Sequence, residues 1–373
     1  MRRTNSETAI TNYLHSKGRR LGLPIAGSFE LTARCNFNCP MCYVHMTQEQ
    51  VNAAGRELTA QQWLDIAKAA KDQGMVFALL TGGEPLVRKD FFEIYDGMRD
   101  MGLFISINSN GSMLKGKILE RFLETPPTRF NISLYGGSNE TYRNMCGVPA
   151  YDQVKENIRI LRQAGIDVNL NLSITPYNKD DLAQIYADSA ELDVSVKASS
   201  YMYPSVRVNG EQYGCGNRLS CMDSAKYAVE WDKLRFTEEE FALRAKNMEK
   251  RINTDQDHCP VEAGEGVLCR AGSSSFWMTW DGKMTPCGMM TIPAAKPLEI
   301  GFDAAWEQIR AETAKIHTPG KCVNCDYKEL CGACAAVYYT ETGRFDGVPE
   351  YVCQRAKMLV SLTKEAYEER NAK

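Results

Sequence analysis

The chain has 373 residues, a formal net charge of -3 and 24% charged residues, enough to bury a large core in two or three domains. Interspersed charges of both signs leave neither a basic face for nucleic acid nor a polybasic membrane patch. No apolar run approaches the roughly 18 residues of a membrane span, and residues 1–20 lack the apolar centre of a signal peptide. A cytoplasmic protein without nucleic-acid or membrane partners is expected.

In chain order, six short β-branched or aromatic runs alternate with stretches of helical period. The strand candidates are 28–33, 75–80, 103–108, 129–134, 167–174 and 193–199. The helices between them carry recognisable ends. Thr59 and Gln62 suit a capping box ahead of Trp63, Ile66, Ala67 and Ala70 on one face, with Gly74 as a stop. Tyr151, Val154, Ile158 and Leu161 form another stripe, and Leu182, Ile185 and Tyr186 follow Asn178 as a cap. The pattern predicts an α/β fold: a partial (β/α)6 TIM-type barrel, too short for eight-fold closure, with ligands at the C-terminal ends of its strands. The expected divisions are an N-terminal extension (1–27), the barrel (28–200), a bridging region (201–258) that includes a charged helix near 237–251, and a small cysteine-rich domain ending in a helix (259–373).

A reducing cytosol disfavours disulfides, so the 14 cysteines point to metal ligation or catalysis. Directly after the first strand stands Cys35-x3-Cys39-x2-Cys42. Three thiolates on one loop can hold three irons of a [4Fe-4S] cube and leave the fourth open for a small molecule; a zinc site completed by His45 is the competing reading. Gly82-Gly83-Glu84-Pro85 follows the second strand and Asn108-Ser109-Asn110-Gly111 the third. Ile132-Ser133-Leu134-Tyr135-Gly136 ends the fourth.

The trio's spacing and position resemble the signature of the radical S-adenosylmethionine (SAM) superfamily, and the other motifs stand where that family places its SAM contacts. The resemblance implies that Gly82, Gly83 and Glu84 receive the amino group of SAM. It puts Ser109, Asn110, Ser133 and Asn171 near the ribose and carboxylate, and Met41 beside the adenine. Some relatives place an arginine about a dozen residues beyond the Ser133 equivalent, where this chain has Met145 and Cys146, with Arg143 slightly earlier. The implied chemistry is reductive cleavage of SAM to a 5'-deoxyadenosyl radical that removes a substrate hydrogen, with an external one-electron reductant of flavodoxin or ferredoxin type.

The later cysteines run Cys269, Gly282-x4-Cys287, Cys322-x2-Cys325-x5-Cys331-x2-Cys334 and Cys353. This resembles the seven-cysteine SPASM extension of radical SAM enzymes that mature peptides and proteins, with C-x2-C in place of the usual C-x3-C at Cys334. The resemblance implies one auxiliary cluster on Cys322, Cys325, Cys331 and Cys353. A second falls on Cys269, Cys287 and Cys334, with Cys259 as the eighth ligand that decides whether an iron stays open. Three [4Fe-4S] clusters result; paired zinc knuckles are the competing reading. Cys146, Cys215 and Cys221 remain as free thiols, the last two placed where a substrate contact or proton donor is the alternative. The resemblance favours oxidative modification of a ribosomally made peptide, by thioether or carbon-carbon crosslinking or related chemistry. About 28 residues precede the first strand, too few for a leader-binding domain, so a separate leader-binding protein or the barrel surface would serve recognition. Beside this stand a sulfatase-maturing, formylglycine-forming enzyme, disfavoured by Gly288 where such enzymes carry aspartate after the Cys287 equivalent, and a non-catalytic iron-sulfur or zinc scaffold.

Overall fold

Alternation along the central strands decides the architecture. In β5 (Val168–Ser173) the odd-face residues Val168, Leu170 and Leu172 are buried beneath helices, while Asn169, Asn171 and Ser173 occupy the opposite face. Successive strand side chains point to opposite faces, so this strand reads apolar outward and polar toward the barrel interior. β4 repeats the pattern, with Phe130 and Ile132 against Asn131 and Ser133. The computed structural model describes residues 9–44, 46–206, 215–252 and 263–371.

Six strands run parallel: β1 (Ala26–Glu30), β2 (Phe77–Thr81), β3 (Phe104–Ser109), β4 (Arg129–Ser133), β5 and β6 (Ser195–Ser199). Each overlaps its predicted run. The expected helix faces are buried too: Trp63, Ile66, Ala67 and Ala70 in Ala60–Asp72, and Tyr151, Val154, Ile158 and Leu161 in Tyr151–Gln163. Thr59 and Gln62 form the reciprocal capping box. Asn178 has another role than the predicted cap. Asp181 precedes the helix Leu182–Glu191, and Asn178 instead donates to Tyr135 O and Ser173 O, tying together the ends of β4 and β5.

The sheet does not stop at six strands. Beyond the bridging region come β7 (Ala263–Gly266), β8 (Ser275–Met278), β9 (Met284–Thr285) and β10 (His317–Pro319). β8 pairs parallel with the free edge of β1, β9 returns antiparallel beside it, and the sheet order becomes β6-β5-β4-β3-β2-β1-β8-β9. Phe276 of β8 is 1% exposed and meets Phe29 and Phe302 at ring-centroid distances of 5.9 and 5.4 Å. The helix Phe302–Thr313 covers this junction with Trp306, whose Nε1 donates to Gly22 O at 2.7 Å. The cysteine-rich end is thus built into the barrel sheet.

The bridging region supplies the helices Cys221–Arg235 and Glu238–Ile252, which pack with the last helix, Glu350–Asn371, around Ala225, Val229, Phe241, Met248, Leu359 and Ala366. β7 and β10 form a separate two-stranded ribbon. Among the described residues no helix is long and apolar enough to cross a membrane.

Candidate active site at the strand ends

The parallel register brings Thr81, Ser109, Ser133 and Asn171 to one end of the barrel, with Ser133 directly beside Asn171. There they open into a cleft of about 290 Å³. Its floor is polar, as the inward alternation requires, and Asn131 Nδ2 donates to Asn108 Oδ1 at 2.9 Å to link two strands across it.

The loop after β1 carries the cysteine trio to the same cleft, which Cys35, Cys39 and Cys42 all line. Two glycines let it come so close. Gly82 adopts φ +145°, and a Cβ there would lie 2.4 Å from Thr32 O. A Cβ on Gly83 would lie 2.3 Å from Arg34 O. Gly83 N donates to Thr32 O at 2.8 Å and Glu84 N to Arg34 O at 2.9 Å, so the turn after β2 is laced onto the start of the cysteine loop. Arg34 is held in turn by Glu57, which takes Nε at 2.9 Å and Nη2 at 2.8 Å.

Gly82, Gly83, Ser109, Asn110, Ser133 and Asn171 line the cleft, and Asn110 Nδ2 reaches Cys35 Sγ at 3.8 Å. Met41 and Glu84 do not line it. Met41 is 5% exposed within the main core. Glu84 is fully buried, and its carboxylate accepts from Leu86 N, Ser109 Oγ and Asn110 N, the last at 2.7 Å. Burial raises its carboxyl to about 7 despite those donors, which pull the other way. Its visible work is to hold the turn that presents Ser109 and Asn110. Met145 and Cys146 are buried and Arg143 is exposed.

Sequence reasoning missed two neighbours of the trio. Cys146, read as a spare thiol, lies wholly buried, and its nearness pushes the Cys39 thiol up. Tyr135 lines the cleft beside the cysteines, and burial raises its phenol well above the usual range. The pairing of the last residue of the helix Asn139–Cys146 with a loop about a hundred residues earlier leaves no local trace.

At the other end of the chain, Cys269, Cys287 and Cys334 line one largely apolar cavity of about 170 Å³ together with Met290, His317 and Tyr338. Cys322, Cys325, Cys331 and Cys353 form a second gathering, close enough that the charges of the other three each raise the Cys353 thiol. These are the two groupings that the resemblance implied, without Cys259. Cys259 lies outside the described residues, as do the side chain of Cys215 and His45. Cys221 Sγ donates to Gln354 Oε1 at 3.3 Å.

The donor chemistry suits iron-sulfur clusters. Desolvation pushes the thiols of Cys35 and Cys287 up to about 12 and that of Cys353 to about 11. Thiolates are favoured there only when a cation replaces the proton. Among the described residues no group of three or more His, Cys, Asp or Glu is drawn tightly enough to enclose a single ion.

Residues 29–188, the barrel with its cysteine loop, match the Radical SAM superfamily. The barrel and its cysteine loop carry this match, 160 of the chain's 373 residues. The match implies SAM and one [4Fe-4S] cluster as cofactors, and the matched residues include the strand-end cleft and its cysteine trio. Among its relatives is an AdoMet-dependent heme synthase of Methanosarcina barkeri, 26% identical over 336 residues that span 85% of this chain and 93% of the relative. A probable GTP 3',8-cyclase of Saccharolobus islandicus is 34% identical over 179 residues, 47% of this chain and 56% of the relative. Two solved structures share the fold at low identity. SuiB of Streptococcus suis bound to S-adenosylmethionine has a TM-score of 0.64 at 16% identity, covering 94% of this chain and 84% of SuiB. anSMEcpe with bound AdoMet and the Cp18Cys peptide has a TM-score of 0.66 at 15% identity, covering 93% of this chain and 98% of anSMEcpe.

Proposed function

We propose that this radical SAM enzyme is an oxidative maturase: it removes a hydrogen from a peptide held at the strand-end cleft and passes the remaining electron to auxiliary clusters in the C-terminal region. The observation that carries this reading is the convergence of Cys269, Cys287 and Cys334 on one cavity and of Cys322, Cys325, Cys331 and Cys353 on another. Eight thiolates, with Cys259 as the eighth, would hold two [4Fe-4S] clusters, and Cys35, Cys39 and Cys42 the cluster that binds SAM.

When bound, a reduced SAM cluster supplies the electron for cleavage to the 5'-deoxyadenosyl radical. The chain's own part is placement and exclusion. Gly82 and Gly83 bring the turn after β2 against the cysteine loop, and Glu84 fixes Ser109 and Asn110 from behind. Ser133 and Asn171 then offer hydrogen bonds from adjacent strands to the polar end of SAM. Phe37, Val44 and Met46 give the same cleft an apolar side, which keeps water from a radical that must meet its target carbon at roughly 3 to 3.5 Å. Val206 N donates to Tyr43 O and Asn217 Nδ2 to Pro40 O, so both residues rest on the cysteine loop, where a substrate would meet them.

A peptide is favoured because architectures matching nearly the whole chain occur in SuiB bound to precursor peptide SuiA and in anSMEcpe bound to the Cp18Cys peptide. The sulfatase-maturing alternative fits less well. A Cβ on Gly288 would stand 2.9 Å from the Trp277 indole, leaving no room for an aspartate. A heme precursor is the second reading, carried by the near full-length similarity to heme synthases.

The test is anaerobic reconstitution, reduction with dithionite and mass spectrometry. The enzyme should form 5'-deoxyadenosine from SAM and remove two hydrogens from a short peptide encoded beside its gene. Formation of heme from an iron porphyrin, with the peptide untouched, would overturn the peptide reading.

A further inference from the structure

The helix Ala9–Leu21 packs on the N-terminal ends of β1, β2 and β8, the end of the barrel opposite the cleft. His15 Nδ1 shares a hydrogen bond with Ser274 Oγ at 2.9 Å, and its ring stacks on Phe77, the first residue of β2, at 6.4 Å. Gly18 lets the helix settle on Ile25, where a Cβ would stand 2.3 Å from the isoleucine side chain. His15 and Gly18 are its buried positions. With about 3.6 residues per turn, Ile10, Tyr13, Lys17, Arg20 and Leu21 fall together on the opposite, outward face. Its apolar members are open to solvent, Ile10 at 71%, Tyr13 at 61% and Leu21 at 59% exposed. The helix holds three cations, Lys17, Arg19 and Arg20, and no carboxylate, in a chain whose net charge is -3. Among the described residues neither Lys17 nor Arg20 has an ion-pair partner. A grouped apolar patch edged by one sign of charge marks an interaction surface.

The same helix is fastened to the loop that carries Cys269. Arg19 Nη2 donates to Leu268 O at 3.0 Å and to Cys269 O at 2.7 Å, and Arg270 Nη2 donates to Asn12 Oδ1 at 2.9 Å. Leu268 is 63% exposed and extends the apolar patch onto the loop. Of the seven described cysteines in the C-terminal sets, Cys269 is exposed and the other six are half-buried. A groove of about 360 Å³ beside this junction is lined by Arg19 and Arg310. Glu307 is the one acid in that lining, and Arg310 already holds it at 2.8 Å.

We propose that this face docks an acidic one-electron carrier protein, of flavodoxin or ferredoxin type, which collects the electron left on the cluster of Cys269, Cys287 and Cys334. The proposal rests on reading that cysteine set as a cluster site. Of the two hydrogens the substrate loses, the first departs as a hydrogen atom to 5'-deoxyadenosine. The substrate radical then releases a proton to solvent and an electron to the cluster, and the oxidised carrier accepts that electron. Lys17 and Arg20 steer an acidic surface, the apolar residues around them exclude water from the contact, and Leu268 sets it against the cysteine loop. Docking at the closed end of the barrel leaves the strand-end cleft to the substrate.

The test uses the reconstituted full chain and a purified flavodoxin as the probe. Binding is read by isothermal titration calorimetry. Electron transfer is read by stopped-flow appearance of the flavin semiquinone, in a chain with Cys35, Cys39 and Cys42 replaced by alanine so that only the C-terminal clusters are reduced beforehand. Lys17→Glu with Arg20→Glu should weaken binding and slow transfer about tenfold at low salt, and both should become less sensitive to added salt. Iron content, and 5'-deoxyadenosine formation with dithionite by the chain that keeps its trio, should not change. Lys117→Glu, an exposed reversal on the helix Gly116–Glu124, is the control and should leave both readouts near wild type. Unchanged binding and transfer in the double reversal, or an equal loss in the control, would overturn the proposal. So would a parent protein whose reduced clusters pass no electron to flavodoxin. If the double reversal instead weakens capture of an acidic peptide while flavodoxin reduction stands, the face is a peptide site and the proposal fails. If the parent shows no C-terminal cluster signal by EPR, the reading of the cysteine sets fails first and the proposal falls with it.

Discussion

Gly83→Ala tests how the cleft is assembled. The added methyl would sit 2.3 Å from Arg34 O, 2.7 Å from Arg34 C and 3.0 Å from Ala33 O, all backbone atoms that cannot rotate away. Ordinary contact begins at 3.4 Å, so the turn after β2 and the cysteine loop must part by about 1 Å. That separation breaks or stretches the bonds from Gly83 N to Thr32 O and from Glu84 N to Arg34 O, each worth about 1 kcal/mol. Overpacking adds about 1–3 kcal/mol. The expected loss is about 3–5 kcal/mol in urea unfolding of the cluster-free protein, with reduced iron bound by the trio after reconstitution. Gly216→Ala, where a Cβ meets nothing within 4 Å, is the control and should be near neutral. A Gly83→Ala protein within about 0.5 kcal/mol of wild type, carrying full iron, would refute the idea that these glycines exist to seat the cysteine loop.

Glu84 gives a pH dependence. Its folded carboxyl titrates near 7 against 4.5 in the open chain, so the unfolded state ionises first. The cluster-free protein should be most stable below pH 4.5 as far as this group is concerned, lose about 3 kcal/mol as pH rises to 7, and change little above. Urea unfolding across that range should show the slope in wild type and its loss in Glu84→Gln. Cys353→Ala should cost one cluster, about four irons per chain by analysis, while the trio still supports 5'-deoxyadenosine formation; full retention of iron would remove Cys353 from the ligand set. Phe276→Ala, emptying the junction of β8 with β1, should destabilise the protein by about 3–5 kcal/mol in a single transition shared by barrel and C-terminal probes. Separate transitions would show that the two parts fold independently.

What could be read beforehand was what repeats locally. β3, β4 and β5 announce themselves because Ser106, Asn108, Asn131, Ser133, Asn169 and Asn171 alternate with buried apolar residues, and the cysteine loop and glycine turn follow strands at fixed offsets. β8 escaped because Ser275–Met278 is four residues long inside a cysteine-rich stretch, and its partner lies some 250 positions earlier. Nothing local signals a pairing of that range. Glu84 was legible as a motif residue but not in its orientation, since a carboxylate's donors come from elements distant in sequence. The nearness of Cys146 to Cys39 was hidden for the same reason.

The late arrival of β8 has a consequence for biogenesis. A chain emerging from the ribosome presents β1 with one bare hydrogen-bonding edge, and that edge stays open through the synthesis of the next two hundred and more residues. Exposed edges invite pairing with other chains. A nascent or truncated form ending before residue 275 should therefore depend on chaperones and aggregate when they are scarce, whereas the finished chain closes its own seam.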